Sequence, residues 1–135
     1  MLKINEVKTG DIVSARFEDV TNVGEVLQVD REDKKALVSH GDQEFWYDME
    51  DLGPVPFSID SLDHLGFVLS TDPVIKGTGT AYVKGPFILQ FPDPSNYKRI
   101  HLIYRDEHRD LDGELYLHQL QNHYHAMTNF HLELA

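Results

Sequence analysis

The sequence lacks cysteine and long apolar runs, and each absence excludes a class of protein. None of its 135 residues is cysteine, which rules out a disulfide framework and a thiolate metal site. No apolar stretch approaches the roughly 18 residues of a membrane-spanning helix. The first residues also lack the apolar segment of a signal peptide. These absences predict a cytoplasmic protein with no membrane partner.

Basic side chains are also scarce. The chain has 12 Lys and Arg against 23 Asp and Glu, for a formal charge of −11. Nucleic-acid binding normally draws on a positive excess, because neutralised phosphates release counterions. Anionic membrane surfaces are disfavoured for the same reason. We therefore expect no nucleic-acid partner and interpret the acidity as a solubility feature. The partner class considered below is a protein or peptide, and the oligomeric state is not predicted.

Residues 1–57 show the order of a small all-β module. Short apolar or aromatic stretches alternate with turn signals at Gly10-Asp11 and Gly41-Asp42. The predicted elements are strands at 12–17, 24–29, 36–39 and 43–47, one helical turn at 49–52, and an edge strand at 55–57. This layout is typical of an SH3-like small β-barrel. The proline in the last strand suits an edge, where no ladder donor is needed.

Residues 58–135 predict an α+β part of antiparallel strands with a C-terminal helix and a short last strand. Ser58 is expected to cap a first helix. The stretches at 71–80 and 105–113 are expected to be loops, the second one mobile, with a turn at 92–96. A helix is predicted at 117–128 and a half-buried strand at 130–134. Because the junction at 54–58 is short, we expect the α+β part to pack on the barrel as one compact body.

The helix carries a recognisable motif. Tyr116, His118-Gln119-Leu120-Gln121-Asn122, Tyr124, Ala126 and Thr128 match the C-terminal helix of a family that the chain resembles. These are small uncharacterised proteins of Bacteroidetes-type bacteria, whose helix reads aromatic–Val–His–Gln–Leu–Gln–Asn–Leu–Tyr–Phe–Ala–Leu–Thr–Gly. The chain departs from the family at His123, His125 and Asn129. The resemblance implies a shared fold and a bacterial cytoplasmic setting, and it brings no known activity.

Histidine is abundant, with 8 residues. His118 and His125 are seven positions apart and therefore share one helix face, opposite the apolar stripe of Leu120, Tyr124 and Met127. Zinc pairs on one helix usually stand four apart, whereas seven positions separate side chains by roughly 10 Å. A metal site would need completion by His101, His108 or a carboxylate. The alternative is that the histidines lie at the surface or its boundary and titrate near neutral pH.

Two groups of residues are candidates for binding. His118, Gln121 and Asn122 belong to a polar strip that offers amide donors and acceptors to a ligand; alternatively, they satisfy neighbouring backbone groups. Phe45, Trp46 and Tyr47 lie together on one strand, where alternation sends Trp46 to the face opposite the other two. Trp46 and Tyr47 are the candidates for an aromatic peptide groove. The alternative is that two of the three rings fill the core.

Enzyme motifs are missing. The sequence contains no nucleophile elbow, no phosphate-binding loop and no dinucleotide fingerprint. We therefore assign no catalytic or metal residue and no cofactor. The sequence predicts a non-catalytic cytoplasmic binding or adaptor protein. The alternative is a metal-dependent enzyme that uses the C-terminal histidines.

Overall fold

The computed structural model describes residues 2–77, 79–93 and 98–133. By their internal contacts the residues form two units. The first unit comprises Met1–Pro56 and Tyr116–Gln121, and the second comprises Phe57–Leu115 and Asn122–Ala135. The predicted boundary after residue 57 and the single compact body stay predictions. By the same internal contacts, the first turns of the C-terminal helix belong to the first unit.

The first unit contains a five-stranded antiparallel sheet. Its strands are β1 (Ile12–Phe17), β2 (Val20–Asp30), β3 (Lys35–His40), β4 (Gln43–Asp48) and β5 (Leu52–Pro54), in the order β4-β3-β2-β1-β5. Short 3-10 turns lie at Ile4–Glu6 and Met49–Asp51. Small aliphatic side chains such as Val13, Ala15 and Val26 dominate its buried core. The helical turn at 49–52 is thus confirmed within a residue, whereas the last strand lies at 52–54 rather than 55–57.

The second unit contains a second five-stranded antiparallel sheet and three helices. They are α1 (Ile59–His64), β6 (Val68–Leu69), α2 (Pro73–Lys76), β7 (Thr80–Lys84), β8 (Phe87–Phe91), β9 (Arg99–Tyr104), β10 (Glu107–Asp112) and α3 (Leu117–Thr128). The strand order is β10-β9-β8-β7-β6. Only the latter part of α3, from Asn122, belongs to this unit. Large side chains such as Phe67, Phe87 and Phe91 are fully buried in it.

The α+β class is confirmed by two antiparallel sheets and a C-terminal helix with the predicted bounds. Ser58 caps α1, since its hydroxyl accepts from the amide of Ser61. Asn129 ends α3 with a φ of 65°, the left-handed conformation expected of it. The first sheet is not closed within the described residues, because β4 and β5 end it on opposite sides and no ladder joins them.

Three further local predictions are wrong. The charged stretch at 105–113 contains β10, which pairs with β9 from Glu107 to Asp112; an edge strand can be charged because one side of its backbone faces solvent. The loop at 71–80 holds the short helix α2, which Asp72 caps. Residues 130–133 form no strand, and Leu134 lies outside the described residues. Residues 94–96 of the predicted turn also lie outside them.

Candidate binding site on the first sheet

One face of the first sheet carries the core at one end and an open pocket at the other. Pairing places Phe17 opposite Val20, and Ala15 opposite Asn22. Further along, Val38 lies opposite Phe45 and His40 opposite Gln43. Because side chains alternate between the faces of a strand, all of these residues share one face of the sheet. Ala15 and Val38 belong to the core, and the others line the open end. The core side chains therefore cover only part of this face.

The pocket at that open end has a volume of about 470 Å³. This lies within the roughly 300–1,000 Å³ of small-ligand sites. Its lining residues are Phe17, Glu18, Val20, Asn22, His40, Gln43, Phe45, Trp46 and Tyr47. The two aromatic residues predicted to bind, Trp46 and Tyr47, thus lie in the same pocket.

The three neighbouring aromatics of β4 differ in exposure. Tyr47 pairs with Ala36 and is 7% exposed, whereas Phe45 and Trp46 are 51% and 50% exposed. Trp46 pairs with Leu37 on the opposite face, as alternation predicts. Phe17, at the end of β1, is 68% exposed. Tyr47 is therefore a core ring, Phe17 and Phe45 border the pocket with their rings, and Trp46 lines it although its side chain leaves β4 on the other face.

His40 and Tyr47 form the polar wall of the pocket. Nε2 of His40 and the hydroxyl of Tyr47 share a hydrogen bond of 2.8 Å, and their rings meet edge to face at 5.6 Å. Gly24 leaves the space behind His40, because a Cβ there would lie 2.3 Å from the Ser39 carbonyl oxygen and 3.1 Å from His40 Nδ1. The lack of a side chain at Gly24 therefore makes room for the His40 ring beside Tyr47.

The charge around the pocket is mainly negative. Its lining contains Glu18 and neither lysine nor arginine. Asp19, Asp42 and Glu44 are exposed neighbours in sequence of the lining residues, as is Arg16, which pairs with Asp51 at 3.7 Å. Aromatic faces next to carboxylates attract a cationic group, by cation–π contact as well as by charge.

The outer edge of β4 offers backbone hydrogen bonds. In a two-residue hairpin the closing pair, here His40 and Gln43, exchanges its hydrogen bonds with each other. Every second residue of β4 then bonds β3, and the intervening Glu44, Trp46 and Asp48 direct their N–H and C=O groups away from it. Because β4 ends the sheet, these groups can pair with an added strand.

Two glutamines of the polar strip of α3, Gln119 and Gln121, are engaged in structure. Gln121 is buried, its Oε1 accepts from the amide of Ile12 (2.8 Å), and its Nε2 donates to the carbonyl of Gly10 (2.7 Å). Gln119 accepts from the amide of Tyr116 (3.0 Å), which is the reach-back contact of a capping box. Asn122 is half-buried. We assign Gln121 to backbone satisfaction, the alternative that the sequence left open.

His118 is buried at 4% exposure, so the alternative of surface histidines does not apply to it. Both sides of the first turns of α3 are covered, because Leu117 and Leu120 are buried as well. Burial lowers the pKa of His118, partly offset by the carboxylate of Glu6. Its Nδ1 is buried without a hydrogen-bond partner among the described residues. Its ring stacks on Tyr116 at 6.2 Å.

The later histidines of α3 have other partners within the second unit. The Arg109 guanidinium donates to Nδ1 of His123 at 2.9 Å, and burial together with this cation lowers the pKa of His123. His125 stacks on His131 with ring centroids 4.4 Å apart. The three histidines of the helix thus have three different surroundings.

Asp11 is a buried carboxyl that the sequence analysis missed. It is 3% exposed, and burial raises its pKa to about 6, against the opposing effects of the Lys8 amide and the Lys8 charge. Its Oδ2 accepts from the Lys8 amide at 3.1 Å. The flanking Gly10 and Ile12 are the two residues that Gln121 binds. The turn before β1 is therefore held by polar groups on both of its sides.

Among the described residues, one group of three carboxylates could hold a cation: Asp48, Glu50 and Asp51, within 4.8 Å of one another. Asp51 already pairs with Arg16 at 3.7 Å and Asp48 with Lys35 at 3.8 Å. These ion pairs account for the cluster as charged surface.

The pocket was only half visible in the sequence. Phe45-Trp46-Tyr47 was recognisable as a cluster, whereas Phe17, Val20 and His40 join it only in the folded chain. Phe17, directly before the acidic pair Glu18-Asp19, was the sequence signal that could have pointed to them. In the described ranges, every helix is too short or too polar to cross a membrane.

Comparison with protein-family models, curated proteins and solved structures finds no match for the chain.

Proposed function

We propose that this chain is a non-catalytic binding or adaptor protein of the bacterial cytoplasm, and that its first unit binds a protein or peptide partner. The observation that carries the proposal is the pocket bordered by Phe17, Phe45 and Trp46. Exposed rings gathered at one pocket differ from the apolar residues that are scattered singly over an ordinary protein surface. Aromatic rings are also the side chains that most often dominate binding energy.

We further propose that the first unit is an SH3-like small barrel. The strand order β4-β3-β2-β1-β5 and the helical turn before β5 support this. In such domains an aromatic groove receives an extended peptide. Membership in the Bacteroidetes-type family that α3 resembles is proposed on the motif from Tyr116 to Thr128 alone.

The chemistry of the pocket favours a particular peptide. Its aromatic lining suits an apolar side chain, and the carboxylates of Glu18, Asp19 and Glu44 suit a neighbouring lysine or arginine. The free edge of β4 would hold the peptide backbone as an added strand. The proposed ligand is therefore an extended segment with an apolar residue next to a basic one.

Selection from a display library of short random peptides tests this proposal. The full chain is panned, and the enriched peptides are titrated by anisotropy of a dye on the peptide. We expect enrichment of apolar–basic sequences. Phe17→Ala and Phe45→Ala should each weaken Kd by about 10-fold or more, as expected for a binding hot spot. Added salt should also weaken binding.

Phe130→Ala is the matched control, because Phe130 is 67% exposed and Phe17 is 68% exposed. Phe130 lies in the second unit and should leave Kd unchanged within about twofold. Failure to enrich any peptide would contradict the proposal, as would peptides that bind all three variants equally.

A further inference from the structure

A cross-strand group of two histidines and an aspartate lies on β9 and β10 of the second unit. Pairing places Asp110 opposite His101 and His108 opposite Ile103. Since His108 and Asp110 are two positions apart on β10, both side chains share the sheet face of His101. Arg109, between them, points to the other face and contacts His123. The group therefore stands apart from the histidines of α3.

Hydrogen bonds align these three side chains in a row. The carboxylate of Asp110 contacts Nδ1 of His101, and Nε2 of His101 lies 3.0 Å from Nδ1 of His108. A carboxylate at one ring nitrogen fixes the imidazole tautomer, with the proton on that nitrogen. The Nε2 lone pair of His101 then points toward His108. Asp110 thus prepares His101 to bind a group located between the two rings.

The spacing of the two ring nitrogens suits a metal ion. Two ligands at a zinc–nitrogen distance of about 2.0–2.1 Å in tetrahedral geometry lie about 3.3 Å apart. The observed 3.0 Å requires an adjustment of only a few tenths of an ångström. His108 must present Nδ1 as its lone pair and carry its own proton on Nε2. Binding to neutral rings therefore needs a change of tautomer at His108 and releases no proton.

We propose that His101 Nε2 and His108 Nδ1 are two ligands of a divalent transition-metal site, with Asp110 as its orienting carboxylate. Imidazole ligands select zinc, nickel or copper over magnesium and calcium, which prefer oxygen. The side chain of Asp110 is 84% exposed and that of His101 is 24% exposed, so an ion has access from solvent. Water completes the coordination, and with two protein ligands the ion exchanges readily. This site is independent of the peptide pocket on the first sheet.

Zinc titration of the full chain without a histidine tag tests the proposal, by calorimetry and by NMR of the imidazole protons at neutral pH. We expect one zinc per chain, with shifts at His101 and His108, and no such shifts with magnesium. His108→Ala should weaken binding at least 10-fold; it is exposed on an edge strand, so the fold is retained. Asp110→Asn should weaken binding roughly 10-fold, the usual effect of losing an orienting carboxylate.

His125→Ala is the control, because His125 and His131 form the other close histidine pair of the second unit. It should leave zinc affinity unchanged. The proposal is overturned if zinc does not bind, if His108→Ala binds zinc as tightly as the wild type, or if His125→Ala lowers affinity as much as His108→Ala. Equal affinity of Asp110→Asn and the wild type would remove Asp110 from the site.

Discussion

The two units differ in the exposure of their phenylalanine rings, which are exposed on the first sheet and buried in the second unit. In the first unit Phe17 and Phe45 are more than half exposed, around a core made mostly of valine and alanine. In the second unit Phe67, Phe87 and Phe91 are at most 2% exposed. A ring inside a core stabilises the fold through the large area it buries. A ring outside contributes little to folding and is available to a partner.

The two units also differ in how they hold their parts of α3. Gln121 binds the first unit through two hydrogen bonds to backbone. In the second unit Tyr124 packs its ring on Phe87, with centroids 4.8 Å apart. One attachment is polar and directional, and the other is apolar. The four predictions below test these contrasts in order of decreasing effect.

Phe87→Ala should have the largest effect, lowering the free energy of unfolding by about 3–5 kcal/mol. Phe87 is fully buried and touches the rings of both Phe67 and Tyr124. Urea denaturation measures the change. A loss below about 1 kcal/mol would contradict the assignment of this ring to the core.

Gln121→Ala should lower stability by about 3 kcal/mol. It leaves the buried amide of Ile12 and the carbonyl of Gly10 without this partner, and each unsatisfied group costs roughly 1–3 kcal/mol. Gln119→Ala is the control: it removes one exposed cap contact and should cost about 0.5–1 kcal/mol. Equal losses in the two variants, measured by chemical denaturation, would contradict the structural role of Gln121.

Asp11→Asn should remove a pH dependence of about 2 kcal/mol between pH 4.5 and 7.5. The folded-state pKa of Asp11, about 6, exceeds its ordinary value of 3.8, so the folded state binds the proton more tightly. The resulting stabilisation is complete below about pH 4 and is lost as the pH rises through 6. Asparagine keeps the oxygen that accepts from the Lys8 amide.

Unfolding curves of the wild type and Asp11→Asn at both pH values give this difference directly. The variant should be the more stable protein at pH 7.5. Parallel pH profiles of the two proteins would show that Asp11 titrates normally.

Phe17→Ala should have the smallest effect on stability, within about 0.5 kcal/mol, because the side chain is largely exposed in the folded protein. It should nevertheless reduce the binding of an apolar dye such as ANS, since Phe17 lines the pocket. A stability loss as large as that of Phe87→Ala would contradict the assignment of Phe17 to the exposed surface of the first sheet.

Much of the secondary structure was predictable because its signals are local. The stripe of Leu117, Leu120, Tyr124 and Met127 located α3, and Ser58 marked the start of α1. The strand β10 was missed because its sequence, EHRDLD, contains one apolar residue. A strand with little apolar character is fixed by pairing with its neighbour, which no local pattern reveals.

The sequence by itself determined the class, the acidic charge, the bounds of α3 and the aromatic cluster of β4, since these depend on composition and on periodicity over a few residues. Only the tertiary structure decided which rings are buried, because burial depends on what lies across the sheet. The fold placed Phe17 and Phe45 in one pocket, and strand register brought His101 opposite Asp110. It was also tertiary packing that buried His118 and gave Gln121 its backbone partners on Gly10 and Ile12.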